Sequence, residues 1–354
     1  MEKLNVAVIG CGNIFRDAHR PAYLKMEDVR VAALCDVALP RAERYAGDFP
    51  GAQVCADYRE LLGRADIDAV DICTPNDLHA PIACDALRAG KHVFCEKPDS
   101  ISPDLARAMQ QTAQDAGRTL MVMRNNRFVP ASQYARRYVE EGRAGEIYAA
   151  HCAWQRRRGI PGKGGWFTTQ ARSGGGPLID LGVHMIDLAL WLMGSPRPIA
   201  VTGCTYSKFA DSTLCDSVNA SFGEARAAGT YDVEDLAMGF VRLENGACLT
   251  LEFSWASNVE RERRFVELYG TKAGLKWEDE ALSLFEERGG ALVDSTPRFD
   301  KAPGNYGHEQ NLRNFADVLL RGQSPCYLPQ QGVDMVGLLC ALYESARTGR
   351  EVRL

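Results

Sequence analysis

The run Leu4-Asn5-Val6-Ala7-Val8-Ile9-Gly10-Cys11-Gly12-Asn13-Ile14-Phe15 decides the fold. Its first six residues read as a buried parallel strand. Gly10 and Gly12 then make a tight turn into a helical stretch that reaches about Lys25. A strand, a glycine turn and a helix bring backbone N–H groups up to a pyrophosphate at the helix N-terminus. Gly10, Gly12, Asn13, Ile14 and Phe15 are therefore candidate dinucleotide contacts, although the dinucleotide pattern asks for Gly or Ala where this chain has Phe15. The next strand, Arg30 to Cys35, ends in Asp36. A carboxylate at that tip binds ribose hydroxyls and repels a 2′-phosphate, which favours NAD over NADP, tempered by Arg41 nearby. The alternative for Asp36 is a cap on the helix that starts near Leu39.

Outward from this stretch the alternation continues. Strands are expected at Ala69 to Cys73, His92 to Cys95 and Thr119 to Met123, with helices at Ala80 to Ala89 and Pro103 to Ala116. Alternating strands and helices predict a doubly wound parallel sheet, whose ligands lie at the carboxyl ends of the strands. Two such ends are polar: Thr74-Pro75-Asn76, with His79 just beyond, and Glu96-Lys97-Pro98. His79 has a helix-capping alternative, and Lys97 a solvated one, although a lysine wedged between a strand end and a proline is an unusual surface residue.

Composition sets the limits. The chain has 354 residues, 46% of them apolar and 25% charged, enough for two domains with sizeable cores. A net charge of −5 disfavours nucleic acid and anionic membranes as partners. The N-terminus lacks the pattern of a signal peptide, and no apolar run reaches the roughly 18 residues that span a bilayer. Twelve cysteines are scattered without a Cys-x-x-Cys pair, which reads as reduced thiols in a cytoplasmic protein.

After Met123 the pattern changes. Arg124-Asn125-Asn126-Arg127-Phe128 is a polar linker, which divides the chain into domains 1–123 and 124–354. A helix follows from Pro130, then a strand from Ile147 to Gln155 and the basic run Arg156-Arg157-Arg158. Charge runs are usually solvated, but these arginines lie close to Trp166 and to the glycine run 174–176. Residues 174–193 then read as a flexible glycine-rich entrance, Pro177 in the first helical turn, and apolar spacings of three and four. Asp180 and His184, four apart, project from one face of that helix and suit proton transfer; the bland alternative is a buried Asp–His bond that only ties helices together. Strands are expected at Ile199–Phe209, Leu236–Leu243, Ala247–Trp255, Arg263–Tyr269 and Leu282–Glu286, with a long loop over 210–229 and closing helices near Glu309–Leu320 and Gln331–Thr348. Successive strands without helices predict a mostly antiparallel sheet with one open face, a natural surface for a homodimer or homotetramer.

The Gly-x-Gly turn, Thr74-Pro75-Asn76 with His79, Cys95-Glu96-Lys97-Pro98, Gly174-Gly175-Gly176 and Asp180-Leu-Gly182-Val-His184 together resemble the glucose–fructose oxidoreductase/inositol dehydrogenase/MocA family, across essentially the whole chain. That resemblance implies an N-terminal Rossmann domain for NAD and a C-terminal α/β domain for a sugar, glycoside or cyclitol. It implies Lys97 beside the reacting oxygen, Asp180 on the substrate and His184 as acid/base. It further implies cofactor contacts from Thr74, Pro75, Asn76, His79, Glu96, Lys97, Arg127 and Trp166, and substrate contacts from Lys97, Arg124, Arg156, Arg158, Asp180, His184 and His308. A metal held by Asp180, His184 and His308 lacks tight ligand spacing. Three activities fit: a dehydrogenase, a glycosidase that oxidises transiently and retains its NAD, and a sugar-sensing regulator. The intact Lys97, Asp180 and His184 weigh against the last.

Overall fold

A computed structural model describes residues 3–217 and 222–354, which fall into two compact units. The first comprises the chain up to Asn125 together with Gly304–Val336. Its strands are β1 (Leu4–Ile9), β2 (Val29–Cys35), β3 (Gln53–Cys55), β4 (Ala69–Ile72), β5 (His92–Cys95) and β6 (Leu120–Val122). They form one sheet in the order β3-β2-β1-β4-β5-β6, and every pairing is parallel. The order reverses between β1 and β4, so the ends of these two strands, at Gly10 and Thr74, flank the crevice where such sheets bind ligands. Helix Pro103–Ala116 shows how local sequence sets an element: Ser102 Oγ accepts the Leu105 N–H, Pro103 stands in the first turn, and Gly117 closes the helix in the left-handed region.

The expected second domain, 124–354, is not one unit, because residues 304–336 pack with the first. Helix Tyr306–Arg321 buries Leu312, Phe315 and Ala316 in the core of the parallel sheet, with Phe315 at 5.3 Å from Phe94. The sequence predicts a helix near Glu309–Leu320. That reading carries no information about which sheet the helix covers.

The second unit, Asn126–Pro303 with Gly337–Leu354, holds β7 (Ile147–Gln155), β8 (Pro198–Tyr206), β9 (Leu236–Leu243), β10 (Cys248–Ser254), β11 (Arg263–Gly270), β12 (Ala273–Glu278), β13 (Ala281–Arg288), β14 (Ala291–Ser295) and β15 (Val352–Arg353). Their order is β14-β13-β12-β11-β7-β10-β9-β8-β15. Only β7 and β10 run parallel; the other pairs are antiparallel. Helix Val183–Leu192 packs against β7 and β11. Tyr148, Met238, Tyr269 and Phe285 are exposed large residues of this sheet. The described residues of the expected loop, 210–217 and 222–229, form no helix or strand; 218–221 lie outside the described residues. Among the described residues one stretch, Gln170–Leu192, is long and apolar enough to cross a membrane, and 78% of its apolar window is buried in the protein, as for a core helix.

Candidate active site

In the first unit, Gly10 takes φ +100°, and a Cβ there would lie 2.6 Å from the Cys73 carbonyl oxygen. Only glycine lets the ends of β1 and β4 come so close. A Cβ on Gly12 would meet nothing within 4 Å, so the turn has open space before it. Asn13 and Ile14 are half-buried behind that turn. Asp36 is buried at the tip of β2 and clasps the turn: its carboxylate accepts the Cys11 N–H at 2.9 Å and the Ala38 N–H at 2.8 Å, with Arg41 at 4.0 Å. It does not cap helix Leu39–Ala46, whose N-cap is Ala38. Beside the turn, Thr74 Oγ1 is buried without a partner. An open glycine turn, a buried carboxylate at the tip of the second strand and an orphaned hydroxyl at the switch point fit a dinucleotide.

Phe15 does not belong to that surface. Its ring is wholly buried against Tyr45 and Phe49, so the residue that departs from the pattern serves the core. Phe15–His19 form a π-helical turn instead of the ordinary helix expected. That turn places His19 in the interior, where its ring nitrogens donate to Asp71 at 2.7 Å and Glu96 at 2.8 Å, with Tyr23 also donating to Asp71. Burial opposes a charge on His19, but Asp71 outweighs it and lifts the pKa well above the usual value. Burial likewise opposes ionisation of Glu96, yet its bond to His19 and the nearby charges of His308 and Lys97 hold it at about 2. The second Glu96 oxygen accepts the Lys97 N–H at 3.1 Å. His308 belongs to this unit: burial and then the positive charges of His19 and Lys97 press it down to about 4, against Glu96. The sequence reading missed His19; its place in the glycine-turn helix was the available signal.

His79 is a correction. It is fully buried and its ring bridges the Pro98 and Thr74 carbonyl oxygens at 2.7 and 2.9 Å, tying two strand-end loops together rather than facing a ligand. Pro75 and Asn76 open the short turn between those loops. Arg124 is a second correction: it is buried, donates to Asp99 at 2.7 Å and to the Met123 carbonyl at 2.9 Å, and lies over Tyr327. The grouping of possible metal ligands found among the described residues is His19, Asp71 and Cys73, and both His19 nitrogens are already engaged by carboxylates.

In the second unit the glycine run is packed, not a flexible entrance. A Cβ on Gly175 would lie 2.0 Å from Tyr343 Oη, and one on Gly176 would lie 2.1 Å from the Glu234 carbonyl oxygen. The buried Glu234 carboxylate accepts the Gly176 N–H at 2.9 Å, the Leu178 N–H at 3.1 Å and the Tyr343 hydroxyl at 2.9 Å. It thereby satisfies donors that a helix start leaves unpaired. Burial pushes Glu234 up to about 7 despite those bonds. Leu178–Gly182 then form a π-helical turn, and Val183–Leu192 an α-helix.

Asp180 and His184 are both half-buried on this helix. Asp180 accepts the indole N–H of the fully buried Trp255 at 3.0 Å. The Trp154 ring lies 6.2 Å from the His184 ring. Arg156 is buried over Trp154 at 5.1 Å; burial lowers its pKa, and the charges of Asp180 and Glu262 oppose that. Trp166 stacks on Phe167 at 3.8 Å. Arg158 is committed to the Arg157 and Ser257 carbonyls and to Asn258, so it is a strut rather than a ligand contact. Arg127, expected on the cofactor, is buried in a two-pronged pair with Asp187 at 2.9 and 2.6 Å. Trp154, Trp255, Glu234 and Glu262 were not anticipated, because they come from separate strands and loops with no shared motif.

Residues 4–124 match the family model described as "Oxidoreductase family, NAD-binding Rossmann fold", and residues 132–276 match the GFO/IDH/MocA C-terminal domain. The chain is 34% identical to D-glucoside 3-dehydrogenase of Escherichia coli over 99% of its length and 97% of that protein. It is 26% identical to inositol 2-dehydrogenase of Rhizobium meliloti, over 98% of each. Its fold superposes on levoglucosan dehydrogenase in complex with NADH and levoglucosan with a TM-score of 0.87, at 24% identity over 100% of this chain and 99% of that one.

Proposed function

The chain belongs to the GFO/IDH/MocA family of oxidoreductases, with its NAD-binding Rossmann domain, and we propose that it oxidises one ring hydroxyl of a glucoside-like sugar to a ketone. The observation that carries this reading is the surround of Asp180 and His184: an acid fixed by the Trp255 indole, an imidazole beside the Trp154 ring, and the Arg156 cation. Carboxylate and guanidinium groups bind sugar hydroxyls, and aromatic faces pack on the apolar C–H faces of a pyranose. The full-length likeness to D-glucoside 3-dehydrogenase supports the same substrate class.

When bound, NAD would supply the acceptor for the hydride of the carbinol carbon. His184 takes the hydroxyl proton as the C–H bond breaks, a task suited to an imidazole whose ordinary pKa is near 6.5. Asp180 orients the hydroxylated ring. Lys97 stabilises the negative charge that develops on the oxygen. Gly10, Gly12, Thr74 and Asp36 hold the dinucleotide, and Asp36 favours NAD over NADP. The enzyme works in the cytoplasm as a homodimer or homotetramer, with the exposed sheet residues in the contact.

The test is NADH formation from NAD with methyl glucosides, free hexoses, levoglucosan and inositols, with the product identified by mass. A ketosugar formed one-for-one with NADH is the expected result. Release of an aglycone from an aryl glucoside without net NADH would replace it with the glycosidase reading. Light scattering that finds a monomer at micromolar concentration would reject the oligomer.

A further inference from the structure

Glu262, just before β11, has no part in the chemistry described so far, yet three groups converge on it. Its carboxylate accepts the Trp154 indole N–H at 3.1 Å and the Ser217 hydroxyl at 2.7 Å, and it lies 3.8 Å from Arg156 Nε. Trp154 is held between two guanidiniums, Arg156 at 5.1 Å and Arg264 at 5.2 Å, with its ring beside His184. Ser217 belongs to the long loop after β8, and its N–H and that of Asp216 donate to the Arg158 carbonyl. Gly159 has no room for a side chain, because a Cβ there would lie 2.6 Å from Ser217 Cβ. One carboxylate thus fixes an aromatic wall, a buried cation and a loop.

We propose that Glu262 is a positioning residue for the sugar site, holding Trp154 and Arg156 in place and fastening the Ser217 loop against them. The proposal rests on the reading of Asp180 and His184 as the sugar site. An indole without its acceptor can swing about its side-chain torsions, and a packing surface that is not preorganised weakens binding more than it slows the bond-breaking step. The Glu262 contacts to Trp154, Ser217 and Arg156 act on the walls of the sugar site, so its loss should fall on KM.

The experiment uses the full-length protein and the variants Glu262→Ala, Glu262→Gln and Ser217→Ala, with methyl β-D-glucopyranoside as the probe sugar. Glu262→Ala should raise KM by about tenfold and change kcat by less than about threefold, with Ser217→Ala smaller in the same direction. Glu262→Gln keeps an oxygen for the indole N–H and an amide for the Ser217 oxygen, so it should restore most of the KM. In protein labelled with 15N at its five tryptophans, the indole signal assigned by Trp154→Phe should shift in Glu262→Ala and return toward its wild-type position in Glu262→Gln. An unmoved indole signal, an unchanged KM in Glu262→Ala, or equal losses in kcat and thermal stability with unchanged KM would overturn the proposal. Failure of the sugar-site reading looks different: His184→Ala would keep wild-type hydride transfer whatever Glu262 variants do.

Discussion

The strand-end cluster of the first unit and the helix cluster of the second solve opposite problems. Around Glu96, charges confront each other directly: a buried imidazole stands between two carboxylates, and the strand-end loops are pinned by His79. Around His184, each polar group is bracketed by an aromatic ring, and both Asp180 and His184 keep part of their surface open. The first arrangement fixes backbone shape and charge at the strand ends of the NAD-binding domain. The second leaves a carboxylate and an imidazole partly open beside aromatic walls, the setting proposed above for a neutral, hydroxylated ligand. If the proposed sugar site is right, a buried ion pair is a poor guide to where the reaction happens.

The largest test of that contrast is His184→Ala, which should slow single-turnover hydride transfer by roughly 10²–10⁴-fold with NAD affinity unchanged. Near-normal rates in folded protein would return the helix to scaffolding. Next comes Asp187→Ala, which leaves Arg127 as a buried charge without its carboxylate. It should cost about 3–5 kcal/mol of stability in denaturant titration while activity per folded molecule persists. A large loss of activity at unchanged stability would mean that Arg127 serves the cofactor after all.

Glu234 gives a pH-dependent arm. Its folded pKa of about 7 lies above the ordinary 4.5, so the native state keeps a proton that the unfolded chain releases. That contribution is fully present below about pH 4.5 and is lost as pH rises through 7, at most about 3 kcal/mol. Melting temperature should therefore decline across this window more steeply in wild type than in Glu234→Gln; parallel slopes would remove Glu234 as the cause. The smallest effect is Asp36→Ser, expected to narrow the preference for NAD over NADP by about tenfold, the scale of one relieved like-charge contact. An unchanged ratio of kcat/KM values for the two cofactors would reject the ribose assignment.

The first unit was largely legible because its chemistry lies in contiguous strand-end motifs: the glycine turn, Asp36, Thr74 and Lys97 each follow a strand that alternation predicts. What that reading could not give was direction. His79, Arg124 and Arg127 are polar residues near the motifs, but their side chains turn inward to carbonyls and carboxylates. In the second unit the sequence revealed the Asp180/His184 helix and the antiparallel sheet. It was silent on Trp255 and Glu262, whose contacts to Asp180 and Trp154 span 75 and 108 residues of chain. It also took the glycine run for slack, because composition alone cannot distinguish a hinge from a socket filled by Tyr343 and Glu234.

The widened turn Leu178–Gly182 gives this segment a place that can absorb a change in length. A π-helical turn holds one residue more than the α-helical turn it replaces. Deleting a single residue there would let an ordinary helix form while the later side chains keep their facing, whereas a deletion in the α-helical part would rotate every later side chain by about 100° about the axis. Such a deletion just after Gly182 would take His184 from the side of Trp154, and the buried Met185, Ile186 and Leu188 would change their facing together. Substitutions can therefore accumulate along this helix over evolutionary time, and a one-residue gap in lineages descended from this chain should fall within Leu178–Gly182 and not within Val183–Leu192.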